Sequence, residues 1–242
     1  MSDSLLHISS TTVPILPAES KVSLDRMYRD VPAVTCGCDR LGQCCELTEV
    51  EAADGWATMY PLFAVEYLNI VDYVRENFSP EDQERFLSFE EERPVRCPFL
   101  TDGGGCSIHP VRPLACRTYG VLSQDKVTDT KERLEGEVPS LWLRHFVKNE
   151  SCTVCTHTKI EEPEKVDAHA ERMATFSYDR ELLELARTFD GLDEDRRDLL
   201  IKASGKVRIS RWTWGGFNTL WRKPVSWLQK NLVGTLDRAT LA

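Results

Sequence analysis

Several features are missing from this 242-residue chain, and each absence removes a class of function. No apolar run approaches the ~20 residues a membrane-spanning helix needs, so no integral membrane role is expected. The opening twenty residues are rich in Ser and Thr, with neither a basic start nor a long apolar run. That argues against a secretory signal and for a cytoplasmic protein. No GxGxxG turn and no P-loop occurs, so nucleotide binding has no motif behind it. The familiar metal signatures are absent too. There is no C-x2-C-x2-C-x3-C ferredoxin run, no pair of C-x2-C knuckles at zinc-ribbon spacing, and no C-x3-C-x2-C triplet of the radical-SAM kind.

What is present is cysteine, nine of them. A reducing compartment argues against a disulfide framework. Free thiols scattered through a core are the plain alternative, since cysteine is a good small hydrophobe. Scatter does not account for three tight groups set among Gly and Pro. The central group runs from Cys97-Pro98-Phe99-Leu100 through Gly103-Gly104-Gly105-Cys106 to Arg112-Pro113-Leu114-Ala115-Cys116-Arg117. So much punctuation excludes a helix and points to an irregular loop wrapped around something its thiolates hold. The glycines make the return turn, and Pro98, Pro110 and Pro113 reduce the entropy lost on closure. Arg112 and Arg117 are placed to neutralise thiolate charge, or to form ordinary surface ion pairs. His109, beside Pro110, is a ligand by type but more often a loop hydrogen-bond donor.

Upstream stand Cys36, Cys38, Cys44 and Cys45, with Gly37 and Gly42 to turn backbone amides inward. Adjacent cysteines do not easily reach one mononuclear site. Cys44 and Cys45 fit better at different metals, or at different corners of a cluster. Downstream, Cys152 and Cys155 form a C-x-x-C pair. Without a flanking βαβ pattern, thioredoxin-like redox chemistry is disfavoured, and the pair reads as completing the shell. All nine cysteines are therefore candidate metal ligands. Nine soft donors exceed the four that one structural zinc takes, which favours two zincs or an iron–sulfur cluster, the latter preferred. No catalytic residue is assigned.

The expected fold is mainly α with irregular loops, its helices packed around a central cysteine-rich metal-binding core. Ser23 to Arg29 reads as a short helix anchored by Leu24, Met27 and Tyr28. A second helix starts near Thr48, and another follows Pro61 and ends near Asn77. Ser79-Pro80-Glu81-Asp82 announces the next N-terminus. Tyr119 to Lys126 reads as a strand, and Ser140 to Lys148 as strand or helix. Glu164 to Phe189 is helical, with a break at Ser177 or Asp179, and a further helix follows Asp193. The organisation is a poorly ordered leader (1–30), a cysteine-cluster domain (31–158), a helical extension (159–205) and a basic, Trp-rich arm (206–242). In that arm seven basic residues face one acid, Asp237, although the whole chain carries −9. Trp212, Trp214, Trp221 and Trp227 lie there as well. It reads as an arm that packs on the acidic body or docks a protein partner; nucleic acid is disfavoured and peripheral membrane contact stays open.

At the two cysteine-dense stretches the sequence resembles the CxxCxxCC family of YkgJ-like zinc- or iron-chelating proteins. The residues that carry the likeness are Cys44-Cys45, Cys97-Pro98-Phe99-Leu100, Cys106-Ser107-Ile108-His109 and Arg112-Pro113-Leu114-Ala115-Cys116-Arg117. The front spacing, Cys36-x-Cys38-x5-Cys44-Cys45, departs from the family's. The resemblance covers roughly residues 35 to 155 and implies metal chelation. It extends to flagellin lysine N-methylases, and so raises an enzyme using S-adenosylmethionine, for which no motif is present. Three functions follow as expectations: a structural or electron-carrying metal site, a protein methylase, or a metal-stapled adaptor presenting the arm.

Overall fold

Leu24, Met27 and Tyr28 recur at the spacing that lines one face of a helix. In the computed structural model, which describes residues 16–39, 41–46, 61–87, 96–148, 154–185 and 209–212, they form the buried face of helix α1 (Ala18–Arg29). The end of the segment read as a leader is thus core. The central helix is α2 (Ala64–Asn77), whose Val65, Tyr67, Leu68, Ile70, Val71 and Val74 are all buried. Buried side chains on nearly every side mark a helix enclosed by others. Next is α3 (Pro80–Leu87), capped as its sequence requires: Ser79 Oγ accepts the Asp82 amide at 3.2 Å, a contact worth about 1 kcal/mol.

Five more helices follow among the described residues: α4 (Leu114–Arg117), α5 (Gln124–Leu134), α6 (Ser140–Lys148), α7 (Val166–Ala174) and α8 (Ser177–Leu185). The chain is mainly helical with irregular loops. The strand expected over Tyr119–Lys126 is not formed. Leu122 makes a single bridge to Val154, and Ser123 Oγ accepts the Lys126 amide at 3.2 Å, which starts α5 instead. Between α7 and α8 the chain turns at Phe176, whose φ of 53° lies in the left-handed region. Its ring is held edge-on by Trp142 at 5.6 Å.

Two short antiparallel ribbons tie distant parts together. β1 (Val34–Cys36) pairs with β3 (Thr158–Ile160), with Cys36 opposite Thr158. β2 (Pro61–Phe63) pairs with β4 (Ile209–Trp212), so the start of the stretch read as a C-terminal arm lies beside α2. The core is apolar, drawn from α1, α2, α5, α7 and α8, and Cys97 and Cys106 pack at its margin. The helical part of the expected architecture is present; the centre it surrounds is hydrocarbon. The helix expected from Thr48, the one after Asp193, residues 1–15, Cys152 and the arm beyond Trp212 lie outside the described residues. No described helix is long and apolar enough to cross a membrane.

Candidate metal centre

The central cysteine stretch is irregular only as far as Pro113: the helix that its punctuation was expected to exclude forms at Leu114–Arg117, where Pro113 stands at the N-cap, and it carries Cys116. Phe99, Ile108, Val111 and Leu114 alternate with its cysteines in sequence and are all buried. Phe99 packs on Phe86 of α3 at 5.0 Å between ring centroids, and Phe86 on Phe78 at 5.1 Å. Such pairs add about 0.5–1.5 kcal/mol each beyond their burial. The apolar residues of the loop grip the core and leave its cysteines at the margin. Leu100 pairs with Cys106, and the Thr101 amide donates to Gly105 O at 2.8 Å, which closes the turn through the glycines.

A second turn, Gln43–Cys45, is a single turn of 3-10 helix carrying two cysteines. Its seat on the loop is set by backbone: the Cys97 amide donates to Cys45 O at 2.8 Å. Gly42 and Gly104 are where the two turns meet. Both have positive φ, 82° and 79°, and a Cβ on Gly104 would stand 2.6 Å from Leu41 O. Only glycine allows that approach.

The third wall is the β1–β3 ribbon. It brings Cys36 and Cys38 beside Cys155, with the Gly37 amide donating to His157 O at 2.7 Å. Thr158 Oγ1 donates to Gly120 O at 2.6 Å, which fastens this wall to the chain just after Cys116. Of the nine candidate ligands, eight are described and all are free thiols: Cys36, Cys44 and Cys116 exposed, and Cys38, Cys45, Cys97, Cys106 and Cys155 half-buried.

These thiols act on one another. Burial raises the Cys36 pKa, as do Cys44 and Cys155, while Arg112 opposes them. Cys38 is raised by burial and then by Cys155, Cys36 and Cys44. Contact between neighbours lowers Cys44 and raises Cys45, so the pair shares a proton; Cys97 and Cys116 raise Cys45 further. Cys116 is pushed up to about 12 by burial and by Cys97 and Cys106. The residue is nonetheless exposed at the surface. Thiols crowded in this way resist ionisation until a cation arrives, and a coordinating thiol is deprotonated outright.

Arg112 is the counter-charge. It lowers the pKa of Cys36, Cys44, Cys106 and Cys116, which belong to three separate segments. Its Nε is buried and hydrogen-bonded to no protein atom among the described residues. Arg117 is used differently. It donates to Arg112 O and Pro110 O, each at 2.7 Å, and lies over the Tyr28 ring at 4.1 Å, so it staples its own loop to α1. His109 is exposed, its pKa lowered by burial of part of the ring and by both arginines.

One residue important to the site carries no cysteine-like signal. Glu66 of α2 is buried and accepts from the Leu114 amide at 2.6 Å, the Tyr28 hydroxyl at 2.8 Å and the Phe63 amide at 3.3 Å. It therefore fixes the N-terminus of the short helix that bears Cys116. A single acid inside the apolar run Ala64-Val65-Glu66-Tyr67-Leu68 is the sequence sign that could have revealed it.

Among the described residues, no three Cys, His, Asp or Glu side chains already stand in the arrangement that holds one metal ion. The thiols are neighbours rather than a closed shell, and each has a single χ1 rotation with which to turn inward. The donor set suits soft cations: thiolates select zinc, copper(I) and iron–sulfur clusters. With Arg112 set among them, the residues present fit such a group.

No curated protein and no solved structure matches the chain. Residues 37–136 match the family model CxxCxxCC, described as a putative zinc- or iron-chelating domain. Cys36 lies one residue before the match and Cys155 well beyond its end, yet the β1–β3 ribbon brings them to the same wall as Cys38. The stretch that matches the CxxCxxCC model, residues 37–136, holds six of the nine cysteines.

Proposed function

We propose that this protein chelates zinc or iron through cysteine thiolates, and that the site is structural or electron-carrying. One observation carries the reading. Eight cysteines from segments up to 119 residues apart are gathered on adjoining walls, joined by the β1–β3 ribbon and the Cys97–Cys45 backbone contact, and neighbouring thiols raise the pKa of Cys36, Cys38, Cys45, Cys106 and Cys116. Arg112, half-buried with its Nε enclosed, supplies a positive charge beside them. Crowded thiols without a cation would gain nothing from this proximity; a soft cation converts it into folding free energy. The iron–sulfur form is the preferred one, because the donors outnumber those of a single structural zinc.

The test is anaerobic purification of the full chain, with absorption spectroscopy and iron, zinc and sulfide analysis on the same sample. Iron with matching sulfide and a broad visible band would establish a cluster. A colourless protein with stoichiometric zinc would establish chelation and make the site a staple. A folded protein that carries no metal, and takes up neither zinc nor iron when reduced, would refute the proposal.

A further inference from the structure

A single turn of helix does not hold its own direction, because the first turn orders several residues for one hydrogen bond. Helix α4 is such a turn. The Cys116 and Arg117 amides donate to Pro113 O at 2.9 and 3.1 Å, and the Thr118 amide to Leu114 O at 2.9 Å. The direction of Cys116 is therefore set by what grips the two ends. At the far end, Arg117 is tied to Pro110 O and Arg112 O and lies over the Tyr28 ring. At the near end Pro113 has no N–H, so Leu114 carries the first amide that needs a partner from outside the helix. Glu66 takes that amide at 2.6 Å.

The carboxylate is itself held by three donors. Its Oε1 accepts both the Leu114 amide and, at 2.8 Å, the Tyr28 hydroxyl; its Oε2 accepts the Phe63 amide at 3.3 Å, at the N-cap of its own helix. Burying a carboxylate is costly unless donors surround it, and packing alone would be served by an apolar residue. What the acid adds is a fixed acceptor at the start of α4, contributed by the longest described helix of the core. We infer that Glu66 is a positioning residue of the metal centre: through the Leu114 amide it sets Cys116 in place before a metal arrives. This rests on the metal-chelating reading above and identifies the residue by which the helical core supports the site. A ligand fixed in advance loses less freedom on binding, so the support is felt as affinity. Glutamine has the same shape but cannot do the same. With its oxygen at Oε1 its amino group meets the Phe63 amide, and flipped it meets the Leu114 amide, so a donor faces a donor either way.

The experiment is metal competition against a chromophoric chelator on reduced, metal-free full-length protein, with far-UV circular dichroism as a check on folding. The metal is zinc, or iron(II) if the wild type takes up iron alone. Wild type is compared with Glu66→Gln and with Tyr28→Phe, which removes one donor from the same carboxylate but keeps the ring beneath Arg117 and the contact to Leu114. Both variants should melt below the wild type, since each disturbs a buried hydrogen bond. Only Glu66→Gln should bind metal more weakly, by roughly 10–100-fold, the usual range for a group that supports a ligand. A folded Glu66→Gln protein with wild-type affinity overturns the inference and leaves chelation standing. So does an equal fall in both variants. A wild type that takes up neither metal overturns both readings. Should Glu66→Gln fail to fold, hydrogen exchange of the metal-free wild type decides: a Leu114 amide protected at least about tenfold over an open chain upholds the pre-set helix, and less protection overturns it.

Discussion

His169 offers a test of the packing that lies away from the cysteines. It is buried in α7, its Nδ1 lies 2.9 Å from the Tyr178 hydroxyl, and its Nε2 has no hydrogen-bond partner among the described residues. Burial, and then the charge of Arg172, lower its pKa from 6.5 to about 4. Arg172 lies over the Tyr178 ring and is paired with Asp30 and Glu181, so the cation is fixed there. A histidine depressed in this way takes up its proton in the unfolded chain first. Its contribution is complete above pH 6.5 and is lost as pH falls toward 4. At 1.36 kcal/mol per unit the loss is about 3 kcal/mol. Asp179, raised by burial to about 6, and Glu66, raised by burial to about 7, act with the opposite sign in overlapping windows, so the wild-type profile alone is not diagnostic. The informative comparison is His169→Asn, which keeps a polar atom near Tyr178 and cannot titrate. Its loss of ring packing is the same at every pH. Urea unfolding of both proteins in one metal state, from pH 7.5 to 4, should show the variant's disadvantage shrinking by about 3 kcal/mol. A difference that stays constant across that range would refute the reasoning.

Two further outcomes bear on the metal centre. Gly104→Ala puts a methyl 2.6 Å from Leu41 O at a φ of 79°, so the turns carrying Cys44–Cys45 and Cys106 must part. Thermal unfolding should report a loss of about 1–3 kcal/mol, and chelator competition a weaker site; an unchanged melting temperature would mean that the turns do not pack as described. Arg112→Gln removes the cation facing the thiols while leaving the apolar anchors of the loop in place. Metal affinity by chelator competition should fall roughly 10–100-fold, the usual effect of losing a group that supports the ligands, and an unaltered affinity would remove Arg112 from the site.

The parts of this fold that were legible in the sequence are those written in local chemistry. Ser79-Pro80 started a helix where a cap and a proline say it must, and Leu24, Met27 and Tyr28 lined a helix face. Helix α5 was not legible, because its buried positions Val127, Thr130 and Leu134 amount to about one per turn in an otherwise charged segment. The β1–β3 ribbon was hidden for a different reason. Three-residue strands are too short to display alternation, and their partners are far apart in the chain. The tension between Cys44 and Cys45 could be read directly, but which cysteine segments adjoin could not, since that depends on the ribbon and on the backbone contact between Cys45 and Cys97. Arg112 and Arg117 look alike in sequence; the carbonyls of Pro110 and Arg112 set them apart.

The ribbon also orders events in time. The Ala33 amide donates to Glu162, 129 residues later in the chain, at 2.9 Å. Closing a loop of that length costs about 4 kcal/mol of chain entropy, and such non-local contacts form late. A chain made from its N-terminus exposes Cys36, Cys38 and Cys44 long before Cys155 leaves the ribosome. Cys45, Cys97, Cys106 and Cys116 are likewise all made before Cys155. The wall that Cys155 completes therefore closes last, only after the chain has passed residue 160.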